Sequence, residues 1–248
     1  MKNARLGLFL WVILVGLVGC QANKESAADT SSANTTAKEA KPASPAAVPE
    51  PVVPALPDSL KTTAYSFYGL GNTKKMLYEM TQGAGDPIDG SQSITLKNVE
   101  GSKAVFEIER VGLVGEGGTD TVELRPDGIW AVGSTQGKFD NPSLDLPAKC
   151  DPGVSWTVRS QITPTGQPPT KLEGIAKIIG MEKVTVPAGT YDALVVNLKA
   201  NMSSGTVNAK IDGKTWYVKD VGMVQQSLVR NLQGQSLKIM MRLKKVGS

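Results

Sequence analysis

Ala104-Val105-Phe106-Glu107-Ile108-Glu109 and Leu237-Lys238-Ile239-Met240-Met241-Arg242-Leu243-Lys244 carry the alternation that decides the fold. In the first run Ala104, Phe106 and Ile108 share one face, with Glu107 and Glu109 on the other. In the second, Leu237, Ile239, Met241 and Leu243 fall together, opposite Lys238, Arg242 and Lys244. Successive side chains of a strand point to opposite faces, so a period of two with one charged face marks a half-buried strand. Met76-Tyr78-Met80 and Leu194-Val196-Leu198 repeat the pattern. Turn-forming residues separate the runs: Asn98 to Gly101, Pro126-Asp127-Gly128, Pro187-Ala188-Gly189 and Asp212-Gly213. Asp127-Gly128 and Asp212-Gly213 suit tight hairpins. No long segment keeps a 3.6-residue period, and one short helix is expected within residues 59–69. Residues 58–248, roughly 190 in all, suffice for one substantial core. The predicted domain is mainly β: a single curved antiparallel sheet or open β-barrel with few or no helices.

A weak echo runs through this domain. Thr121-Val122-Glu123-Leu124-Arg125-Pro126-Asp127-Gly128-Ile129-Trp130 resembles Thr206-Val207-Asn208-Ala209-Lys210-Ile211-Asp212-Gly213-Lys214-Thr215-Trp216. Gly71-Asn72-Thr73 ahead of Met76, and Gly153-Val154-Ser155-Trp156, could open two related meanders. Chance similarity among hairpins explains the echo equally well.

Working toward the N-terminus, residues 21–57 are Ala, Ser, Thr, Pro and scattered charges with almost no large apolar side chain. Such a stretch cannot bury enough surface to offset ordering entropy, so a disordered tether is expected. Its prolines, from Pro42 to Pro57, favour extended conformations. A flexible chain of this length has a mean reach of roughly 35 Å. Ahead of it, Lys2 and Arg5 precede an apolar run over residues 6–18, with small residues just before Cys20. That is the layout of a secretory signal over residues 1–19, with a run too short to cross a bilayer. Leu17-Val18-Gly19-Cys20 resembles the lipobox of bacterial lipoproteins. The resemblance implies diacylglycerol on the Cys20 sulfur, cleavage before Cys20 and acylation of the freed amine. Three chains exceed what stable membrane anchoring needs. It also implies a place in the cell envelope. With Gln21 rather than Asp after the cysteine, this is the outer membrane facing the periplasm in a Gram-negative cell, and otherwise the outer face of the cytoplasmic membrane.

Composition narrows the chemistry. There is no histidine, which removes Ser-His-Asp and Cys-His catalysis and His-based zinc sites. Without Lys2 and Arg5, 25 basic residues face 23 acidic ones, a net charge of +2. That balance argues against a nucleic-acid partner. With lipid on Cys20, Cys150 has no disulfide partner within the chain and reads as a small hydrophobe in a turn. Gly83-Ala84-Gly85-Asp86-Pro87-Ile88-Asp89-Gly90 lacks the EF-hand order and reads as a solvated loop. Gly115-Glu116-Gly117-Gly118 lacks phosphate-loop spacing and reads as a hairpin tip. Glu107 and Glu109 share a wet strand face without any sign of a sugar cleft. The sequence calls for no metal and no cofactor, and an enzyme is not expected.

Val184-Thr185-Val186-Pro187-Ala188-Gly189-Thr190-Tyr191, followed by Trp216-Tyr217 and Val221-Gly222-Met223-Val224, resembles a poorly characterised family of bacterial envelope proteins, many of them lipoproteins. Lys74, Lys75 and Met76 depart from that family, where a Trp commonly follows the first Gly-Asn turn. The resemblance implies a fold akin to the open barrel of lipoprotein-carrier proteins, a curved sheet that cups apolar material. Physically, Pro187-Ala188-Gly189 is a turn and Val221-Gly222-Met223 a bulge or close backbone approach. Trp216 and Tyr217 point to opposite faces, so one is expected in the core and the other near the surface. These readings favour a non-enzymatic, membrane-anchored protein binding an apolar ligand or another envelope component. Met76, Met80, Met223, Met241 and Trp216 are the candidate ligand-lining residues, since thioethers adapt to irregular ligands. The alternatives are an assembly protein that recognises other envelope proteins and, remotely, a His-free hydrolase.

Overall fold

The structure is a computed structural model that describes residues 55–113 and 118–247. The signal segment, Cys20, nearly all of the tether and most of the 115–118 hairpin tip lie outside the described residues. The period-two runs form β1 (Met76–Gln82), β2 (Ile88–Glu100), β3 (Lys103–Val111), β4 (Gly118–Arg125), β5 (Gly128–Ser134), β6 (Lys138–Phe139) and β7 (Ser143–Pro147). They continue as β8 (Ser155–Thr163), β9 (Thr170–Val186), β10 (Gly189–Ser204), β11 (Val207–Val218), β12 (Gly222–Leu232) and β13 (Gln235–Val246). All join one sheet in the order β6-β8-β9-β10-β11-β12-β13-β1-β2-β3-β4-β5-β7. Every ladder is antiparallel. The sheet is therefore two successive meanders joined where β1 pairs β13, and it is open.

Its inner face carries the core: Met76, Tyr78, Phe106, Ile108, Leu124, Ile162, Leu198, Leu228 and Leu243 are all buried. The sheet curls until β7, at one end of the order, lies beside β8, near the other. Helix α1 (Thr63–Tyr68) packs on β5, β7, β11 and β12, following a 3-10 turn at Asp58–Leu60. Thr62 caps its start, accepting from the Tyr65 N–H at 3.4 Å, and Gly69 ends it in the left-handed region. A Cβ on Gly69 would stand 2.6 Å from the Val221 carbonyl oxygen, so only glycine lets the helix end meet the β11–β12 turn. Asn72 ties the same corner, its Nδ2 donating to the Val221 carbonyl at 3.1 Å.

Two local expectations fail for identifiable reasons. Asp212-Gly213 is not a turn but lies inside β11, where Gly213 pairs with Leu198 and Leu228. The hairpin turns instead at Gly205, which holds positive φ. The two echoed segments thus part company: Thr121–Trp130 is a hairpin turning at Pro126-Asp127, and Thr206–Trp216 runs into one strand. Trp216 and Tyr217 do alternate, yet both are only 9% exposed. Tyr217 stacks on Tyr68, with ring centroids 6.0 Å apart. Trp216 lies opposite Val195, one strand from the bare Gly180, and Lys214 Nζ sits 4.8 Å from its ring centroid. The outer face is therefore not wet at this point.

Candidate functional site

The two ends of the sheet meet without a ladder along the seam between β7 and β8. Side chains hold it. The Trp156 indole N–H on β8 donates to the Leu144 carbonyl on β7 at 3.0 Å. The Tyr68 hydroxyl on α1 donates to Asp145 Oδ2 on β7 at 3.0 Å.

Asp145 reaches the interior through a β-bulge. Ile129 pairs with Leu146 and Trp130 with Leu144, so Asp145 is the extra residue left between them. Bulges bend a strand and re-aim a side chain. Beneath the seam lies a cavity with room of about 50 Å³, lined on its polar side by Tyr68, Asp145, Trp156, Thr215, Tyr217 and Gln226. Leu144, Val158, Ala176, Val196, Leu198, Gly213 and Leu228 form the rest of the wall. Gly213 helps make the space: a Cβ there would come 2.9 Å from Leu228 Cδ2 and 3.3 Å from Leu198 Cβ.

Asp145 is half-buried, and its electrostatics are those of an acid held away from most of the solvent. Burial pushes the Asp145 carboxyl up to about 7; Asp120 adds to the rise, while the Tyr68 hydrogen bond and the nearby Arg110 oppose it. Arg110 is itself buried and paired with Asp120. Burial also drives the Tyr68, Tyr78 and Tyr217 hydroxyls well above the usual phenol range, so all three stay protonated donors. Tyr78 donates to the Met223 carbonyl at 2.7 Å. Cys150, next to this end of β7, is buried, its Sγ 3.5 Å from the Pro147 carbonyl oxygen. Burial pushes its thiol up to about 12, the opposite of an activated nucleophile.

Met76, Met80, Met223 and Met241 are all buried in the core, none of them in the wall of this cavity. Trp216 stands on the other face of β11, its Nε1 3.4 Å from Glu182 Oε2. Met80 lies opposite Met241 across β1 and β13, and the Tyr78 hydroxyl reaches both Met76 Sδ and the Met223 carbonyl, whereas Trp216 is on the other face. What sequence reading missed is Asp145 with Tyr68, Arg110 and Asp120. Asp145 sits in Ser143-Leu144-Asp145-Leu146-Pro147, where alternation alone would send it outward from the two leucines. The one available signal was a short strand bounded by prolines, too brief to pin its register. The Val184–Tyr191 and Val221–Val224 phrases turn out to be structural corners. The first ends in a two-residue turn docked on β13, the Ala188 N–H donating to the Leu243 carbonyl at 3.1 Å. In the second, a Cβ on Gly222 would stand 2.9 Å from the Tyr68 carbonyl oxygen. The 83–90 segment, expected to be a loop throughout, enters β2 at Ile88; Asp89 pairs with Glu79 there and engages Lys244 Nζ with both oxygens at 2.8 Å.

This architecture, one open and strongly curled antiparallel sheet of two meanders, defines a known class of β fold. Residues 176–231 match the DUF3108-like family. A protein described as a lipoprotein from Parabacteroides distasonis is similar in structure, with a TM-score of 0.56 at 14% identity, over 73% of this chain and 98% of its own. A protein described as exported, with a YmcC-like fold, from Bacteroides fragilis gives 0.52 at 12% identity over 74% and 99%. No curated protein matches. At these identities the likeness is one of fold.

Proposed function

We propose that the chain is a lipid-anchored envelope protein whose β domain acts as a non-enzymatic binding module for another envelope component. The address rests on the Leu17-Val18-Gly19-Cys20 segment, with acyl chains on Cys20 and residues 21–57 as the spacer. It is supported by the description of two structural relatives as a lipoprotein and an exported protein. In a Gram-negative cell this places the domain in the periplasm, held on the outer membrane. The observation that carries the binding-module reading is the filled interior. Small-molecule pockets span some 300–1,000 Å³ and are lined mainly by apolar side chains; the cavity beneath the seam offers about 50 Å³, and the wider groove of about 690 Å³ at the far end of β9 to β12 is lined mostly by polar and charged residues, among them Lys171, Glu173, Asn201, Asn208 and Lys210. Carriage of an acyl chain between Met76, Met80, Met223, Met241 and Trp216 would require this core to open.

Two measurements test the proposal. Cys20→Ala should abolish palmitate incorporation and release the protein from membranes; retention of the variant in the membrane fraction would overturn the anchor. The released chain, used as bait on envelope extract with its bound lipids assayed by mass spectrometry, should capture a defined protein partner and no stoichiometric lipid. Stoichiometric lipid without a protein partner would replace this reading with the apolar-ligand one.

A further inference from the structure

The cavity beneath the seam has a chemistry of its own. Its wall holds one carboxylate, Asp145, and no cationic side chain. The groups that face Asp145 from its surroundings are Tyr68 on α1, Tyr217 on β11, Asp120 on β4 and Arg110 on β3. Arg110 is matched by Asp120, so ionised Asp145 leaves this part of the interior one negative charge in excess. The remaining polar wall offers both acceptors and donors, the Tyr217 hydroxyl among the donors. Gln226 Nε2 donates to Thr215 Oγ1 at 3.3 Å, and both side chains line the cavity. Behind these groups the surface is aliphatic. A water needs roughly 10–15 Å³ of such room, so about 50 Å³ takes a group of a few non-hydrogen atoms.

We propose that this cavity binds the end of a small primary aliphatic amine, its ammonium on the Asp145 carboxylate and its alkyl stem against Val196, Leu198 and Leu228. An ammonium supplies three donors and the missing positive charge. Tyr68, Trp156 and Tyr217 also line the cavity, and aromatic rings favour cations in water-poor sites. A stem of about four carbons matches the room, which is the reach of a lysine side chain. The inference rests on the binding-module reading and gives its site a ligand class. An amine on a partner protein would enter across the seam, where the Trp156–Leu144 hydrogen bond joins β8 to β7 without a ladder.

The test uses the full processed chain with its anchor, in detergent micelles at pH 8, with n-butylammonium chloride titrated against the melting temperature. A saturable rise is expected, because a ligand of the folded state stabilises it by mass action. n-Butanol and sodium butyrate at matched ionic strength should give none. Asp145→Asn, measured against its own baseline, should weaken the apparent affinity at least tenfold. Wild type at pH 5 should lose the response in the same way, since the amine stays charged while Asp145 takes up a proton; this arm needs no substitution. An equal rise from butanol or butyrate, an undiminished response in Asp145→Asn or at pH 5, or no saturable rise at all would overturn the proposal. Partner capture reads a different property, so lipid in the pull-down would sink the binding-module reading without altering the titration.

Discussion

Strands β9 to β13 and the seam between β7 and β8 are closed by different means. In the first region the ladders are long: β9 and β10 pair from Gly189↔Val186 to Ser204↔Thr170, and β10 and β11 from Leu194↔Tyr217 to Ser204↔Val207. Backbone groups are satisfied along the strand, and side chains cover both faces around Ala193-Leu194-Val195-Val196, all four buried. At the seam β7 is short and bulged, β6 covers only the end of β8, and in place of a ladder the Trp156–Leu144 hydrogen bond crosses from β8 to β7, while Tyr68 ties Asp145 to α1. A ladder is redundant, with many bonds that each contribute modestly. The seam has no such redundancy. Local opening therefore concentrates there, next to the cavity wall that carries Asp145.

The largest effect expected tests the laddered side. Trp216→Ala removes a side chain buried between Lys214, Glu182 and Val195, and should cost about 3–5 kcal/mol in chemical denaturation. A loss below about 1 kcal/mol would mean that the outer face of β11 is open and that the laddered side differs less from the seam.

Asp145 gives the next effect, with a sign set by its raised carboxyl. The folded state holds the Asp145 proton more tightly than the unfolded chain does. Its contribution to stability is therefore full below about pH 4 and is lost as pH rises through about 7. Asp145→Asn keeps a group that can accept the Tyr68 hydrogen bond and never ionises. The variant should be more stable than wild type at pH 8 by about 1–3 kcal/mol, screening by cavity water included. The advantage should shrink to near zero by about pH 4. Denaturant midpoints across this range check it; a difference that does not vary with pH would place Asp145 in water.

These two positions also show what could be read from the chain. The strands were legible because Phe106 and Ile108, or Ile239 and Met241, keep strict alternation against charged neighbours, and that pattern depends only on one buried face. The helix was legible from its position ahead of Gly69, and the hairpins at Pro126 and Pro187 from turn chemistry. Asp212-Gly213 misled because a glycine facing a cavity has the same local signature as one in a turn. Only the pairing of Gly213 with Leu198 and Leu228 separates the two. Asp145 was invisible for a related reason. Which residue of a short strand becomes the bulge is settled by the partner strand, here Ile129 and Trp130, and not by the strand's own sequence. The burial of Trp216 likewise comes from its neighbours on β9 and β10. The domain's elements are thus local information, whereas its candidate site is made where register departs from regularity.

The smallest effect, and the most local, belongs to Trp156. Trp156→Phe keeps most of the apolar ring and deletes the indole N–H that reaches the Leu144 carbonyl, so global stability should fall by only about 1 kcal/mol. The informative readout is where the loss appears. Hydrogen exchange should quicken in the backbone amides of β7 and the first half of β8. The amides of β10 and β11, held in their ladders, should exchange as in wild type. Asp145 should at the same time see more water, which lowers its carboxyl toward the ordinary range and moves its titration, followed by carboxyl-carbon NMR, to lower pH. Faster exchange spread evenly over all strands would mean that the sheet opens as a unit. Acceleration confined to β7 and β8 would mark the seam as the hinge through which the cavity communicates with solvent.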